Sequence, residues 1–86
     1  MKRHMDYKVP GGKLIRIDLE TEQGIIKDIR ITGDFFIHPE ESILTIENSL
    51  KGIHISEVPQ RLERIITKNR IKLIGLRTED IIKIIN

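Results

Sequence analysis

Between Lys13 and Glu20 apolar and polar residues alternate. Ile15, Ile17 and Leu19 fall on one side and Arg16, Asp18 and Glu20 on the other, with Leu14 out of step. A period of two marks a half-buried strand. Ahead of it, Pro10-Gly11-Gly12 supplies one residue with preset φ and two that tolerate positive φ, a turn. Tyr7–Val9 before the turn reads as short and extended, whereas Met1–Asp6 shows no period and is expected to fray. Thr21–Gly24 is a polar loop ending in glycine, as hairpin connections of three to five residues often do. Ile25–Thr32 then returns as a strand. Ile25, Ile29 and Ile31 share its inner face, Asp28, Arg30 and Thr32 its outer one, and Lys27 interrupts the apolar side.

Beyond Thr32 the period lengthens. His38-Pro39-Glu40-Glu41 predicts a helix start, with proline at the first helical position and two acids at the positive end of the dipole. Ile43, Ile46, Leu50 and Leu44 make the inward stripe, and Gly52 stops the helix. A second helix is expected from Ser56 to Asn69, burying Val58, Leu62, Ile65 and Ile66, with Ser56 as cap and Pro59 in the first turn. After Ile71–Leu76, Thr78 caps a third helix through Ile85, led by Glu79 and Asp80. The sequence therefore predicts a single α+β domain over residues 1–86. A three-stranded antiparallel meander is covered on one face by three helices, in two layers and in β-β-β-α-α-α order.

Composition narrows the possibilities. A chain of 86 residues buries only roughly 60–65% of the surface its unfolded form exposes, so a deep pocket for two substrates would consume much of its core. Nineteen isoleucines and no alanine give that core a uniform character, and Tyr7, Phe35 and Phe36 are the sole aromatics. The absence of cysteine removes disulfides and thiolate chemistry. No apolar run reaches the ~18–20 residues of a membrane span, and no apolar signal region follows the basic start, so a cytoplasmic chain is expected. A net charge of +2, spread along the chain, argues against nucleic acid, which requires a concentrated basic face.

Candidate chemistry is sparse. His4, His38 and His54 lack the short spacing of zinc ligands, and no metal site is expected. Gly11-Gly12-Lys13 invites comparison with phosphate loops, but a strand follows rather than the helix such loops need; Lys13 stands where that strand leaves the turn. Arg61, Arg64 and Lys68 fall at helical spacing, extended by Arg70 and Lys72. This stripe is either a solvated face in which Glu57 pairs with Arg61, or a dock for an acidic partner. Gly33-Asp34-Phe35-Phe36 is the least ordinary segment. Parity counted from Ile29 and Ile31 buries Phe35 and exposes Phe36, and an exposed aromatic is a typical interface anchor; a chain that turns at Gly33 could instead bury both rings. No catalytic group can be named: Asp34 has no evident His, Ser or carboxylate partner.

Two stretches carry a resemblance. Lys8-Val9-Pro10-Gly11-Gly12-Lys13-Leu14-Ile15-Arg16-Ile17 and Ile29-Arg30-Ile31-Thr32-Gly33-Asp34-Phe35-Phe36-Ile37-His38-Pro39-Glu40-Glu41 resemble the C-terminal domain of lipoate–protein ligases. The likeness continues more loosely through Ile46–Gly52 and Gly75–Ile81. Nothing in the chain is similar to the catalytic domain of those ligases, with its glycine-rich lipoate-binding run and active-site lysine. The resemblance thus implies the separate small subunit of a two-part ligase. In that family the large subunit holds lipoate and ATP with Mg. The small one is needed to form lipoyl-adenylate, before transfer to a lysine of a lipoyl-domain acceptor or the glycine-cleavage H protein. It also implies a meander sheet with helices like that of iron–sulfur scaffold proteins, without their cysteines. No cofactor and no activity are expected of the chain alone. Gly11, Gly12, Lys13, Gly33, Asp34, Phe35 and Phe36 are the candidates for a partner interface or for support of its active site. An RNA-binding module using Arg61–Lys72, and a protein–protein adaptor using the phenylalanines, are the rival readings.

Overall fold

The computed structural model describes residues 1–11 and 13–85; Gly12 lies outside the described residues. Strands β1 (Lys2–Val9), β2 (Lys13–Glu22) and β3 (Ile25–Gly33) form the expected antiparallel meander with β2 in the centre. Then come a short strand β4 (Phe36–His38), helix α1 (Ser42–Leu50), a 3-10 turn (Ile55–Glu57), helix α2 (Val58–Lys68), a second short strand β5 (Lys72–Ile74) and helix α3 (Thr78–Ile85). Ile15, Ile17 and Leu19 of β2 are almost wholly buried, together with Ile46 and Leu50 of α1, Leu62 of α2 and Ile81 and Ile85 of α3. One face of the sheet lies under the helices and the other meets solvent, as the α+β reading requires.

The start of the chain corrects the expectation of fraying. Lys2–Val9 pairs along its whole length with Lys13–Glu20. Its period of two is hidden because the inward residues are Arg3, Met5, Tyr7 and Val9, of which only Val9 is fully buried. Met5 and Tyr7 pack against the core, and Arg3 donates through Nη2 to the Ile85 carbonyl at 2.9 Å, at the negative end of α3. Lys83 Nζ stands 5.4 Å from the Tyr7 ring centroid, a cation–π contact that helps hold the edge strand to the helix.

The β2–β3 connection is tighter than expected. The strands run on to Glu22 and from Ile25, leaving Gln23 and Gly24 at φ 52° and 79°, the two positive values of a two-residue hairpin turn. A register shift follows at Glu20/Thr21: Glu20 faces Asp28 but Thr21 faces Ile26, so Lys27 is the extra residue of a bulge. The bulge turns Ile26 inward, fully buried, alongside Ile29 and Ile31, and leaves Ile25 only half-buried, the reverse of the simple alternation. The outer edge of β3 is occupied. Ile26 N–H donates to the Ile53 carbonyl and Gly52 N–H to the Ile26 carbonyl, while Ile31 N–H donates to the Glu47 carboxylate of α1 at 2.7 Å.

Helix boundaries moved as well. α1 begins at Ser42, after a turn in which Ser42 N–H donates to the Pro39 carbonyl, so Pro39, Glu40 and Glu41 lie outside it. Ile46 and Leu50 are buried, Ile43 half-buried, and Leu44 faces solvent. The turn into α2 is capped by His54, not Ser56: the His54 ring accepts from Ser56 N–H, and Glu57 accepts from His54 N–H. Glu57 therefore makes no pair with Arg61. Pro59 does lie in the first turn of α2, where its missing donor costs nothing. At α3 the Thr78 hydroxyl bonds Glu79, and the buried Asp80 accepts from Arg77 N–H.

The bulge yields a sharp test. Ile26→Ala should cost about 2–5 kcal/mol of unfolding free energy, as for a fully buried isoleucine, and Ile25→Ala less than half as much. Urea denaturation of the two variants decides it; equal losses would place both side chains in the core and remove the bulge.

Candidate functional site

The two segments singled out in the sequence come together at one end of the molecule. At Gly33 (φ 149°) β3 ends hard against β2. A Cβ there would run into the Leu14 carbonyl oxygen and stand 3.0 Å from Ile15 Cα, both backbone atoms that cannot step aside. Asp34 N–H then donates to that same Leu14 carbonyl at 2.9 Å, and the chain leaves the main sheet. Phe35 folds back, half-buried against the core, while Phe36 opens β4 with 70% of its surface exposed. The parity expectation holds for Phe36. For Phe35 it overstates the burial, because the ring belongs to the connection rather than to β3.

β4 pairs antiparallel with β5, matching Phe36 with Ile74, Ile37 with Leu73 and His38 with Lys72. This two-stranded ribbon was not foreseen, since three-residue strands carry no period. It sets Gly75 (φ 83°) beside Lys13: a Cβ on Gly75 would lie 3.6 Å from Lys13 Cγ and 3.8 Å from the Asp34 carbonyl oxygen. Pro10, Gly11, Lys13, Gly75, Arg77 and Asp80 border an open groove of about 280 Å³ there. Lys13 is exposed and in none of the ion pairs among the described residues, whereas Arg77 lies 3.9 Å from both Glu79 and Asp80. Ile74, Gly75 and Arg77 are thus members of the site that sequence reasoning missed. The signal available was the looser likeness over Gly75–Ile81, which pointed at the loop but not at its neighbours.

The basic stripe of α2 is not brought to this groove, and it is broken up. Arg61 is half-buried and donates through Nη1 to the Ser49 carbonyl at 3.2 Å, tying α2 to α1, while Arg64 and Lys68 face solvent. Among the described residues no group of three or more His, Cys, Asp or Glu side chains is arranged to hold a metal ion, and no helix is long and apolar enough to cross a membrane.

The solvent face of the main sheet holds the most ordered electrostatics. His4, Asp18 and Arg30 lie in one row across the strands, Asp6, Arg16 and Thr32 in the next. His4 Nδ1 is bonded to Asp18 and its Nε2 lies 3.0 Å from Asp6, to which Arg16 Nε also donates at 2.9 Å. The hydrogen bond to Asp18, aided by the charges of Asp18 and Asp6, raises the His4 pKa above its ordinary 6.5. The hydrogen bond from Arg16 lowers that of Asp6 below 3.8. These groups satisfy one another, which marks a solvated face rather than a reactive one.

Two outcomes follow from this geometry. Gly33→Ala combines an unfavourable φ with a backbone clash, each worth about 1–3 kcal/mol. Its melting temperature should fall by roughly 10 °C or more, at about 4–8 °C per kcal/mol for a domain of this size. A near-native melt by circular dichroism would contradict the contact. For His4, a pKa raised on folding means stability that is fully present below pH 6.5 and lost as pH rises through the raised value. NMR titration should place the His4 midpoint above 6.5, and Asp18→Asn should bring it down; a midpoint indifferent to that change would refute the pairing.

Set beside known proteins, residues 1–85 match the family described as bacterial lipoate protein ligase C-terminus. Over 45 residues, 52% of the chain, it is 47% identical to lipoate-protein ligase A subunit 2 of Thermoplasma acidophilum, and the match spans about half (48%) of that relative's length. The whole chain is also similar, with a TM-score of 0.90 and 31% identity, to 96% of a chain in a solved archaeal lipoylation system. That structure is of a bi-partite lipoate protein ligase and its E2 lipoyl domain from Thermoplasma acidophilum.

Proposed function

Since the chain belongs to the bacterial lipoate protein ligase C-terminus family, we propose that it is the accessory subunit of a two-part lipoate–protein ligase. It acts in the cytoplasm beside a larger catalytic subunit that holds lipoate, ATP and magnesium. Together they activate lipoate to lipoyl-adenylate, and the lipoyl group then passes to a lysine of a lipoyl-domain protein or the glycine-cleavage H protein. The observation that carries this reading is the full-length similarity to a chain of a bi-partite ligase, at a TM-score of 0.90.

The geometry supports a contributing surface rather than a catalytic centre. The groove beside Lys13 is open, and among the described residues the exposed Asp34 and Lys13 are in no ion pair. What the chain does present is Phe36, held outward by the Gly33 turn. Seated on the catalytic subunit, that ring and the turn behind it would fix a neighbouring loop in the arrangement where the lipoate carboxylate and the α-phosphorus of ATP meet. Fixing reactants in line is worth several kcal/mol of barrier. Transfer from a preformed adenylate needs no such alignment, so the accessory chain bears on the first half-reaction.

The test separates the two halves. The catalytic subunit of the same organism should form little lipoyl-adenylate alone, recover on addition of this chain, and modify an acceptor from synthetic lipoyl-adenylate without it. Phe36→Ala should melt near the native temperature yet bind about thirtyfold more weakly, roughly 2 kcal/mol, and fail to restore adenylation. Phe35→Ala should instead destabilise the fold by about 2 kcal/mol, roughly half the cost of a fully buried ring. Equal stimulation of both half-reactions would replace this role with general stabilisation of the partner.

A further inference from the structure

The β4–β5 ribbon has two faces of opposite character. Ile37 and Leu73 stand across from each other on the inner face and pack against the core. On the outer face Phe36 stands across from Ile74, 70% and 58% exposed, and the next row is His38 across from Lys72, both exposed. Single exposed apolar residues are ordinary on a protein surface. A directly paired phenylalanine and isoleucine, each more than half in water, on strands whose other side is fastened to the core, are a different matter. Cross-strand aromatic and β-branched partners hold each other's conformation, so little side-chain freedom remains to be lost on binding.

Two lysines and an exposed carboxylate, Asp34, border this pair. Lys72 flanks it in the ribbon, and on the other side the Lys13 stem runs past Gly75, the residue after Ile74. Neither lysine is in an ion pair among the described residues, unlike Asp6, Asp18 and Asp28, which all are. The two lysines outnumber Asp34, which leaves the surround of the pair net cationic. The complementary surface is an apolar depression with carboxylates at its rim.

We propose that Phe36 and Ile74 act as one two-residue anchor, and that it seats in an apolar depression of the catalytic subunit whose rim carries acidic groups facing Lys13 and Lys72. This rests on the subunit reading given above and names the chemistry of the partner's surface. A buried apolar centre inside a charged rim divides the labour: the centre governs the dissociation rate, the rim the association rate and its dependence on salt.

The experiment measures binding of the full chain to the purified catalytic subunit of the same organism, at low and high NaCl, with melting curves confirming that each variant is folded. Ile74→Ala should weaken binding about tenfold through faster dissociation. The Phe36→Ala/Ile74→Ala double variant should lose much less than the product of the two single losses, because one depression receives both side chains. Lys13→Glu with Lys72→Glu should slow association about tenfold at low salt, with the difference shrinking at high salt. If Ile74→Ala binds as the native chain does, or the charge reversal changes nothing at either salt, this inference is wrong while the subunit reading stands. If the native chain fails to bind the catalytic subunit, both fall. Capture of labelled RNA that is abolished by the lysine reversals, with subunit binding intact, would reassign the basic rim and overturn the inference.

Discussion

The contact between Gly33 and the backbone of Leu14 decides where the rest of this small protein goes. At Gly33 β3 approaches β2 so closely that any side chain there would meet the Leu14 carbonyl, an approach that glycine permits. Asp34 then bonds the same carbonyl from the other direction, and the chain is turned out of the sheet. Everything at the candidate site follows from the turn. Phe35 is returned to the core, Phe36 is set outward, and β4 is placed where β5 can pair with it, which in turn brings Gly75 against Lys13.

A ribbon of two three-residue strands would not persist in water by itself. It is ordered here because its inner face, Ile37 and Leu73, completes the apolar layer under the helices. The exposed pair Phe36 and Ile74 therefore inherits its rigidity from the core rather than from local hydrogen bonds. Core packing and site geometry are one property in this chain. The opposite face of the main sheet shows the alternative use of surface, a lattice of mutually satisfied charges around His4, Asp6, Arg16 and Asp18 that keeps a broad β face in water.

Legibility in the sequence followed the strength of periodicity. β2 could be read because three consecutive inward positions are large and apolar; β1 could not, because its inward positions include Arg3 and Met5, whose apolar stems pack while their sequence pattern looks mixed. β3 was read with Ile25 in place of Ile26, since a one-residue bulge reverses parity and no residue announces it. The helices were located correctly to within a few residues, but their caps were assigned by residue preference, which His54 violates by using its ring as the acceptor. At the site, Gly33 and Phe36 are legible because two adjacent phenylalanines stand out in a chain with one other aromatic, Tyr7. Ile74 was one isoleucine among nineteen, and only the pairing across the ribbon distinguishes it.

The physical role open to such a domain is set by what it lacks as much as by what it shows. If, as proposed, the chemistry lies with the catalytic subunit, the influence of this chain on adenylation would come from binding one arrangement of the partner better than others. A ribbon face fixed by the core suits that role, since a surface that adapted to every arrangement would favour none of them. Selection of this kind is reciprocal: if the accessory chain stabilises the arrangement in which lipoate and ATP are aligned, those ligands strengthen the association of the subunits by the same factor. On the same proposal, transfer from a preformed adenylate would draw on a different arrangement and gain nothing from the contact. A small core with an outward-facing ring fits the task so proposed, in which the chemistry would stay with the catalytic subunit.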